Sequence, residues 1–469
     1  MRDSDIPELG VGIACGNALE SYGTAAGYDF REVSPHADTV ALRGRHPGSP
    51  VVLASAWLPV GGSCEPDPAL LALLAENVEA LRPAFVAERL GFNRFPTGGG
   101  SRATGFLLPP CHTLDGVTVA ARRIAQLRER LRVPIAFEIG TNYLPKRRNE
   151  LTDAEFFAAV AEAADCGIVL DLTSIWANEF NGREDAAALL ERLPLERVWE
   201  VQVSGATTCR GYAVDTQSGL AQPGVRRLAE RFVPHLPALR AIVFEARAET
   251  LRFLGQDVLS EQREWLGGLW ASRGTNVSER NPSAPMARRF ANLPPYGDAC
   301  VRLRGWEREV VAGIAGITSA NASEAKPFAL LDSLIAGARK TAIAEAAQFS
   351  LRLLEATLGP RALADLFQRY FSQTCAEQLP VTEAVRFLQF VESERTDVPY
   401  LREVVAFERA AAQALRGAGE TAVLFSCEPT EIFRALLRRD QPYVSDRRPH
   451  LVHVGPRGIR IEGAYHQAG

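Results

Sequence analysis

The sequence predicts an α/β fold: a (β/α)8 TIM-type barrel followed by a smaller, mainly helical α+β domain. Three observations predict it. Eight short apolar or β-branched runs recur in the first part of the chain, separated by longer Ala-, Leu-, Arg- and Glu-rich stretches of helical period, as in a parallel sheet with helices outside it. Several runs close on a carboxylate: Glu138 ends PIAFE, Asp171 ends GIVLD, Glu245 ends AIVFE, and Asp215 lies in YAVDT. Acids at the C-terminal ends of barrel strands converge on the face where such folds keep their chemistry. After Trp270 the chain changes to a Ser-, Asn-, Gly- and Pro-rich stretch, ASRGTNVSERNPSAPM, and then to sustained helical periodicity.

The predicted strands are LGVGIAC (9–15), FREV (30–33), PVVLA (50–54), AFVAE (84–88), PIAFE (134–138), GIVLD (167–171), RVWEVQVS (197–204) and AIVFE (241–245). Eight strands suffice to close a barrel whose interior side chains can fill. Between them, PALLALLAENVEALR and VTVAARRIAQLRERL read as amphipathic helices, and Thr152-Asp153-Ala154-Glu155 forms a capping box ahead of Phe156 and Phe157. The predicted organisation is a barrel over 1–272, a linker over 273–288 and a second domain over 289–469 that ends in a hairpin, LVHVGPRGIRIEG.

Strand alternation sharpens the site. If Glu138 faces the lumen, so does Ala136, while Phe137 meets the helices; in RVWEVQVS the rule places Glu200, Gln202 and Ser204 inside and Trp199, Val201 and Val203 outside. Glu138, Asp171, Asp215 and Glu245 are the predicted catalytic or metal-binding groups, with Glu200 and Gln202 lining the same mouth. Like charges at 4 Å and an effective dielectric near 20 cost about 4 kcal/mol per pair, so such a cluster needs a cation or must take up protons.

Composition excludes other classes. A formal charge of -4 over 469 residues makes no global electrostatic case for nucleic acid or an anionic membrane. No run approaches the roughly 18 apolar residues of a membrane span, and the acidic start MRDSDIPELG does not read as an export signal, so a cytoplasmic location is expected. The eight cysteines show no CxxC pair and are expected to be reduced. Of seven histidines, His36 and His112 are the candidates near the mouth, as a metal ligand or substrate contact; His46 and His235 have no argued role. NRFPTGGGSR (93–102) is expected to be a flexible lid, and its glycines do not follow a strand in the phosphate-binding pattern.

In order along the chain, FVAERLGF, LLPPCHT, IAFEIGTNYL, LTDAEFFAAVAEAADCGIVLDLTSIWANEFNG, VWEVQVSGA, YAVDTQ and VFEARAE resemble the stations of the multinuclear non-haem iron-dependent oxidases (MNIO), over roughly residues 9 to 250. The resemblance implies a barrel like that of sugar isomerases, two or three irons, and oxidation of Cys, Asp or Asn in ribosomally synthesised precursor peptides (RiPPs). It also implies roles for Glu88, Asn142, Tyr143, Asn181 and Gln217 in lining the pocket.

The matched stations differ at the ligand positions. Arg89, in Ala87-Glu88-Arg89-Leu90, stands where the family has a histidine; the HLAGH-like station reads Gln202-Val203-Ser204-Gly205-Ala206, the DTH station Asp215-Thr216-Gln217, and the strand expected to end in His-Gly ends in Ala54-Ser55. Glu-Asn becomes Glu138-Ile139, Asp-x-Asn-Asn becomes Asp171-Leu172-Thr173-Ser174, and Asn181 is kept. Imidazole binds iron well, Gln weakly and Arg not at all, so a di- or tri-iron centre is not expected. Two alternatives stand: Arg89 neutralises the acids by bidentate pairing, or one hard divalent ion (Fe, Mn or Mg) sits on Glu138, Asp171, Asp215 and Glu245.

The later half also resembles a known family. VPYLREVVAFER (398–409) is similar to the "PYL…ArLE" signature of the partner proteins that accompany these oxidases, and AVLFSCEPTEIFRALL with the final hairpin agrees with their C-terminal end. This implies a leader-binding partner domain fused in cis, where tethering gives a high effective concentration and a sheet edge takes the leader as an added strand. Three functions follow as expectations: a divergent RiPP-modifying oxidoreductase, a metal-free pseudoenzyme or scaffold that binds a precursor peptide or another maturation enzyme, and an isomerase-like or lyase-like enzyme on a small substrate.

Overall fold

The computed structural model describes residues 6–15, 27–35, 50–276, 292–317, 322–414, 419–445, 447–456 and 458–462. The chain forms two compact units, Met1–Ser101 with Leu107–Asp332, and Arg102–Phe106 with Ser333–Gly469.

Up to residue 245 the strands are β1 (Gly10–Cys15), β2 (Phe30–Val33), β3 (Val51–Ser55), β4 (Val86–Arg89), β5 (Phe92–Thr97), β6 (Gly100–Leu108), β7 (Ile135–Glu138), β8 (Gly167–Asp171), β9 (Val198–Ser204), β10 (Ala206–Cys209), β11 (Tyr212–Asp215) and β12 (Ala241–Glu245), all in the first unit but for Arg102–Phe106 of β6. The order β1-β2-β3-β4-β7-β8-β9-β12 closes on itself, and every pair in it is parallel. Each of the eight predicted runs is a stave of this barrel. The helices outside it begin where side chains can cap them: α1 (Pro68–Leu81) on Asp67, α2 (Leu114–Leu131) on Thr113, and α3 (Asp153–Ala164) on the predicted Thr152/Glu155 box, with both reciprocal hydrogen bonds present. Phe137 points outward as expected and meets Phe157 of α3 at 6.1 Å between rings.

Part of the lumen below the mouth is apolar: Phe30, Val52, Ala87, Ala136, Val169, Trp199, Ala241 and Val243 form one buried cluster. Trp199 was expected outside. A register shift between Ile168 and Val169 pairs Val198 and Glu200 with successive residues of β8, leaving Trp199 as a bulge whose ring turns inward. Gly167 makes room for it, since a Cβ there would stand 2.2 Å from the indole.

Two hairpins are added to the staves. NRFPTGGGSR is not a loose lid but the centre of the β5–β6 hairpin, turning at Gly98 and Gly99 with Gly100 at φ 141. The second, β10–β11, follows β9 directly. The remaining helices of the unit include α4 (Leu172–Phe180), α5 (Ala186–Arg192), α6 (Pro223–Phe232), α7 (Ala248–Ser272) and α8 (Tyr296–Ile314). The expected boundary at 273–288 shifts: α8 belongs with the barrel, packing Ala299, Cys300 and Leu303 against Cys111 and Val119. Its buried Glu307 accepts hydrogen bonds from Ser63 N at 2.6 Å and Ser63 Oγ at 2.5 Å. Residues 277–288 of the expected linker lie outside the described residues.

Beyond α9 (Ala322–Ala346), the second unit contains α10 (Gln348–Leu358), α11 (Pro360–Gln373), α12 (Pro380–Glu394), α13 (Leu401–Ala414), β13 (Thr421–Phe425), α14 (Pro429–Leu437), β14 (His450–Gly455) and β15 (Gly458–Glu462), the strands forming an antiparallel sheet β13-β14-β15. The expected helical α+β architecture and terminal hairpin are present. Leu353, Tyr370, Phe387, Val404, Phe425 and Val452 share its core. Glu408 of the VPYLREVVAFER segment is buried and accepts from Phe349 N at 2.6 Å and Ser350 N at 3.0 Å, capping α10. Among the described residues no helix is long and apolar enough to cross a membrane.

Candidate metal centre

Asp171 is at once the last residue of β8 and the N-cap of α4, accepting from Thr173 N at 2.9 Å and Ser174 N at 3.1 Å, with the Ser174 hydroxyl on its second oxygen. Glu245 ends β12. Asp215 reaches the same place by a route the sequence reading missed: it ends β11 of the hairpin rather than a barrel stave. Asn181, the C-cap of α4, pins that hairpin through Nδ2 to Ala213 O (2.9 Å) and Oδ1 from Ala213 N (2.8 Å). Ser204 Oγ then donates to Asp215 at 2.7 Å, and Gln217 N, on a left-handed residue at φ 52, donates to it at 3.2 Å.

Asp171, Asp215 and Glu245 each present a carboxylate oxygen, all within 4.8 Å of one another. Burial pushes Asp171 up to about 8, and the charges of Asp215 and Glu138 add to it. Burial likewise raises Glu245 well above the carboxylate range, with Glu32 and Glu138 adding to it. Glu245 Oε2 is buried and has no hydrogen-bond partner.

Glu138, expected as a fourth ligand, is engaged by Arg89. The two are register partners on β7 and β4, and Arg89 Nε donates to Glu138 Oε1 at 2.5 Å, with Nη2 on the same oxygen. Burial opposes the guanidinium charge, but Glu138, Glu245 and Asp171 outweigh it and hold Arg89 firmly protonated.

Deeper in the lumen, Gln202 Nε2 donates to Glu32 at 2.9 Å and to Glu200 at 2.8 Å. Burial raises Glu32 well above its ordinary value, reinforced by the charge of Glu200 and a hydrogen bond with it; burial raises Glu200 to about 7. Both carboxyls therefore favour the protonated form more than a free glutamate does. Glu32 escaped the sequence reading, although an acid two residues after Phe30 in FREV has the alternation of an inward position.

Other expected residues are placed elsewhere. Glu88 lies in register with Ser55 and Phe137, on the opposite face of β4 from Arg89, and accepts from Leu58 N at 3.0 Å; burial pushes it up to about 8. His112 is no mouth or surface residue: it is buried, stacks on Phe156 at 4.3 Å, and pairs through Nδ1 with Asp153 at 2.9 Å. Asn142 is buried in a turn, its N donating to Asn178 Oδ1 at 2.7 Å and its Oδ1 accepting from Leu144 N at 3.0 Å. Tyr143 lies closer to the centre, where burial raises its phenol and it feels Asp215, Arg89 and Asp171. His36 and His46 fall outside the described residues.

The family described as RiPP precursor modification enzyme MbnB/TglH/ChrH matches residues 28–254. A UPF0276 protein of Neisseria meningitidis serogroup B is 30% identical over 198 residues, 42% of this chain and 69% of its own length. The chain belongs to the MbnB/TglH/ChrH family. A UPF0276 protein of Chromobacterium violaceum is also 30% identical, over 169 residues, and this chain spans 60% of that relative's length and matches it over 36% of its own. Solved structures similar to it include endonuclease IV from Thermus thermophilus (16% identity, 56% of this chain and 99% of that one, TM-score 0.35) and an L-ribulose 3-epimerase (16% identity, 64% and 97%, TM-score 0.36).

Membership of the MbnB/TglH/ChrH family implies metal use, and the donor set here can be tested against it. Three converging carboxylates, one with an unpartnered buried oxygen, fit a hard divalent cation. Among the described residues a cluster of imidazole-bound irons does not fit, because the group of metal-competent side chains found there contains no histidine and Arg89 and Gln202 are already engaged with acids.

Proposed function

We propose that this MbnB/TglH/ChrH protein matures a ribosomally synthesised precursor peptide, modifying a core residue at the mouth of the barrel with one divalent ion on Asp171, Asp215 and Glu245. The convergence of those three carboxylates within 4.8 Å, in a barrel of a peptide-modifying family, carries the reading. A bound ion would supply Lewis acidity, and if it is iron or manganese, redox capacity. The chain's own residues do the rest. Asn181 and Ser204 hold Asp215 in position, Ser174 and two backbone amides orient Asp171, and Glu32 and Glu200, joined by Gln202, favour the protonated form below the site.

The second unit supplies the peptide grip in this reading. β13 is an edge strand, and a groove of about 370 Å³ runs between it and α13, lined by Arg402, Arg409, Thr421, Val423 and Leu424. An extended leader adding to β13 would run beside Arg402, Glu403 and Arg409, the last of which also faces Glu392 at 3.5 Å. Co-expression with a short peptide encoded beside the gene tests both halves. The expected result is co-purification and a mass change that Asp171→Asn abolishes; the absence of both would contradict the proposal.

Arg89 on Glu138 and Gln202 on the inner acids favour a second reading, a scaffold that binds the peptide without redox chemistry. Co-purification with no mass change, in protein loaded with iron or manganese, selects it.

A further inference from the structure

We propose that Arg89 is a built-in cation that takes the place of a second metal ion, so that the centre accepts one divalent ion and no more. The inference rests on the single-ion reading above and concerns only how many ions the mouth can hold.

Four carboxylates meet there. Asp171, Asp215 and Glu245 share one pocket of oxygens, whereas Glu138 Oε1 receives two nitrogens of Arg89. Arg89 has no lone pair to offer a metal and cannot be deprotonated to make way for one. The parallel register of β4 and β7 fixes it opposite Glu138, and Glu138, Glu245 and Asp171 all act on its charge. Charge counting then limits occupancy. One divalent ion with the guanidinium brings three positive charges against the four carboxylates, close to balance. Two divalent ions would bring five, an excess over the four carboxylates of the mouth in a site where unbalanced charge is costly. The one buried oxygen in this group without a partner belongs to Glu245, in the three-carboxylate set, which places an ion there, while Glu138 Oε1 is already taken by the guanidinium.

The test is Mn²⁺ binding to the full-length protein after removal of metal with chelator, followed by electron paramagnetic resonance and elemental analysis. No peptide is needed, so the result is independent of the maturation reading. The wild type is expected to bind one Mn²⁺. Arg89→Lys, which keeps a charge without a ligand, also binds one, and Arg89→His, which frees Glu138 and adds a nitrogen donor, binds two. Arg89→Ala removes the repulsion and frees Glu138, so its first Mn²⁺ binds ~10-fold more tightly. Circular dichroism confirms folding, and if Arg89→His does not fold, the affinity of Arg89→Ala decides. A wild type that binds two ions overturns the inference, as does one ion in Arg89→His together with unchanged affinity in Arg89→Ala; the single-ion reading survives the latter result. A wild type that binds none overturns both.

Discussion

The barrel unit buries two groups of charged side chains, and they differ in how their charge is answered. Asp153 receives His112 Nδ1 at 2.9 Å and Arg183 Nε at 2.9 Å, while Arg183 Nη1 reaches Leu144 O at 2.7 Å. Burial alone would raise Asp153, but the hydrogen bonds from Arg183 and His112 outweigh it and hold the carboxyl well below its usual range. At the mouth, Asp171, Asp215 and Glu245 face one another, and the nearest guanidinium is committed to Glu138. There burial wins and protons are retained. Similar residues in similarly dry surroundings thus make a strut in one place and a cation-seeking site in the other.

The contrast is broken most directly by neutralising each acid. Asp153→Asn leaves Arg183 buried without its counter-charge and is expected to destabilise the protein by about 3–5 kcal/mol. A stability within about 1 kcal/mol of wild type, read from denaturant unfolding, would make the two groups equivalent. Glu245→Gln should do the opposite to stability, leaving the metal-free protein unchanged or firmer, while weakening Mn²⁺ binding ~100-fold, about 2.7 kcal/mol. Equal Mn²⁺ affinity in that variant removes Glu245 from the centre.

Acidity sharpens the comparison further. Asp171 and Glu88 are pushed up to about 8 and Glu200 to about 7, against about 4 for free carboxyls. Between about pH 4 and 8 the folded state therefore holds more protons than the unfolded one, so the stability of the ion-free protein falls as pH rises through that window. Asp153 has the reverse sign: its contribution is present above about pH 4 and is lost on acidification below it. Denaturant midpoints in chelator from pH 5 to 8 should decline, and a saturating divalent ion should flatten the decline. A midpoint that climbs across the range contradicts the assignment.

The smallest expected effect concerns Asn181. Its alanine variant loses both hydrogen bonds to Ala213, costing about 1–2 kcal/mol. Because Asp215 hangs on that hairpin, Mn²⁺ should bind ~10-fold more weakly, about 1.4 kcal/mol. Loss of stability with intact metal affinity would show that Asp215 is held without Asn181.

The eight staves were legible because alternation and terminal acids mark buried parallel strands directly, as in GIVLD and AIVFE. Asp171 and Glu245 followed from the same signal. Asp215 lies beside Asp171 and Glu245, but not as the end of a barrel stave: YAVD is an antiparallel hairpin strand that Asn181 pins, a contact that spacing alone does not encode. Strand periodicity failed at Trp199, where one bulged residue reverses the face. It was not applied to Ala87-Glu88-Arg89, where it separates Glu88 from Arg89. NRFPTGGGSR misled because its glycines serve a hairpin turn, and His112 because its partners, Asp153 and Arg183, lie 41 and 71 residues away in sequence. The boundary at 273–288 was set by composition, whereas α8 joins the barrel through Glu307 and Ser63, 244 residues apart.

Elemental analysis of the full-length protein purified without oxygen, beside Asp171→Asn prepared identically, tests the central claim most directly. About one divalent transition metal per chain in the wild type, lost in the variant, is the predicted result. A wild type free of metal after reconstitution, or one carrying two or three irons that Asp171→Asn leaves in place, would contradict it.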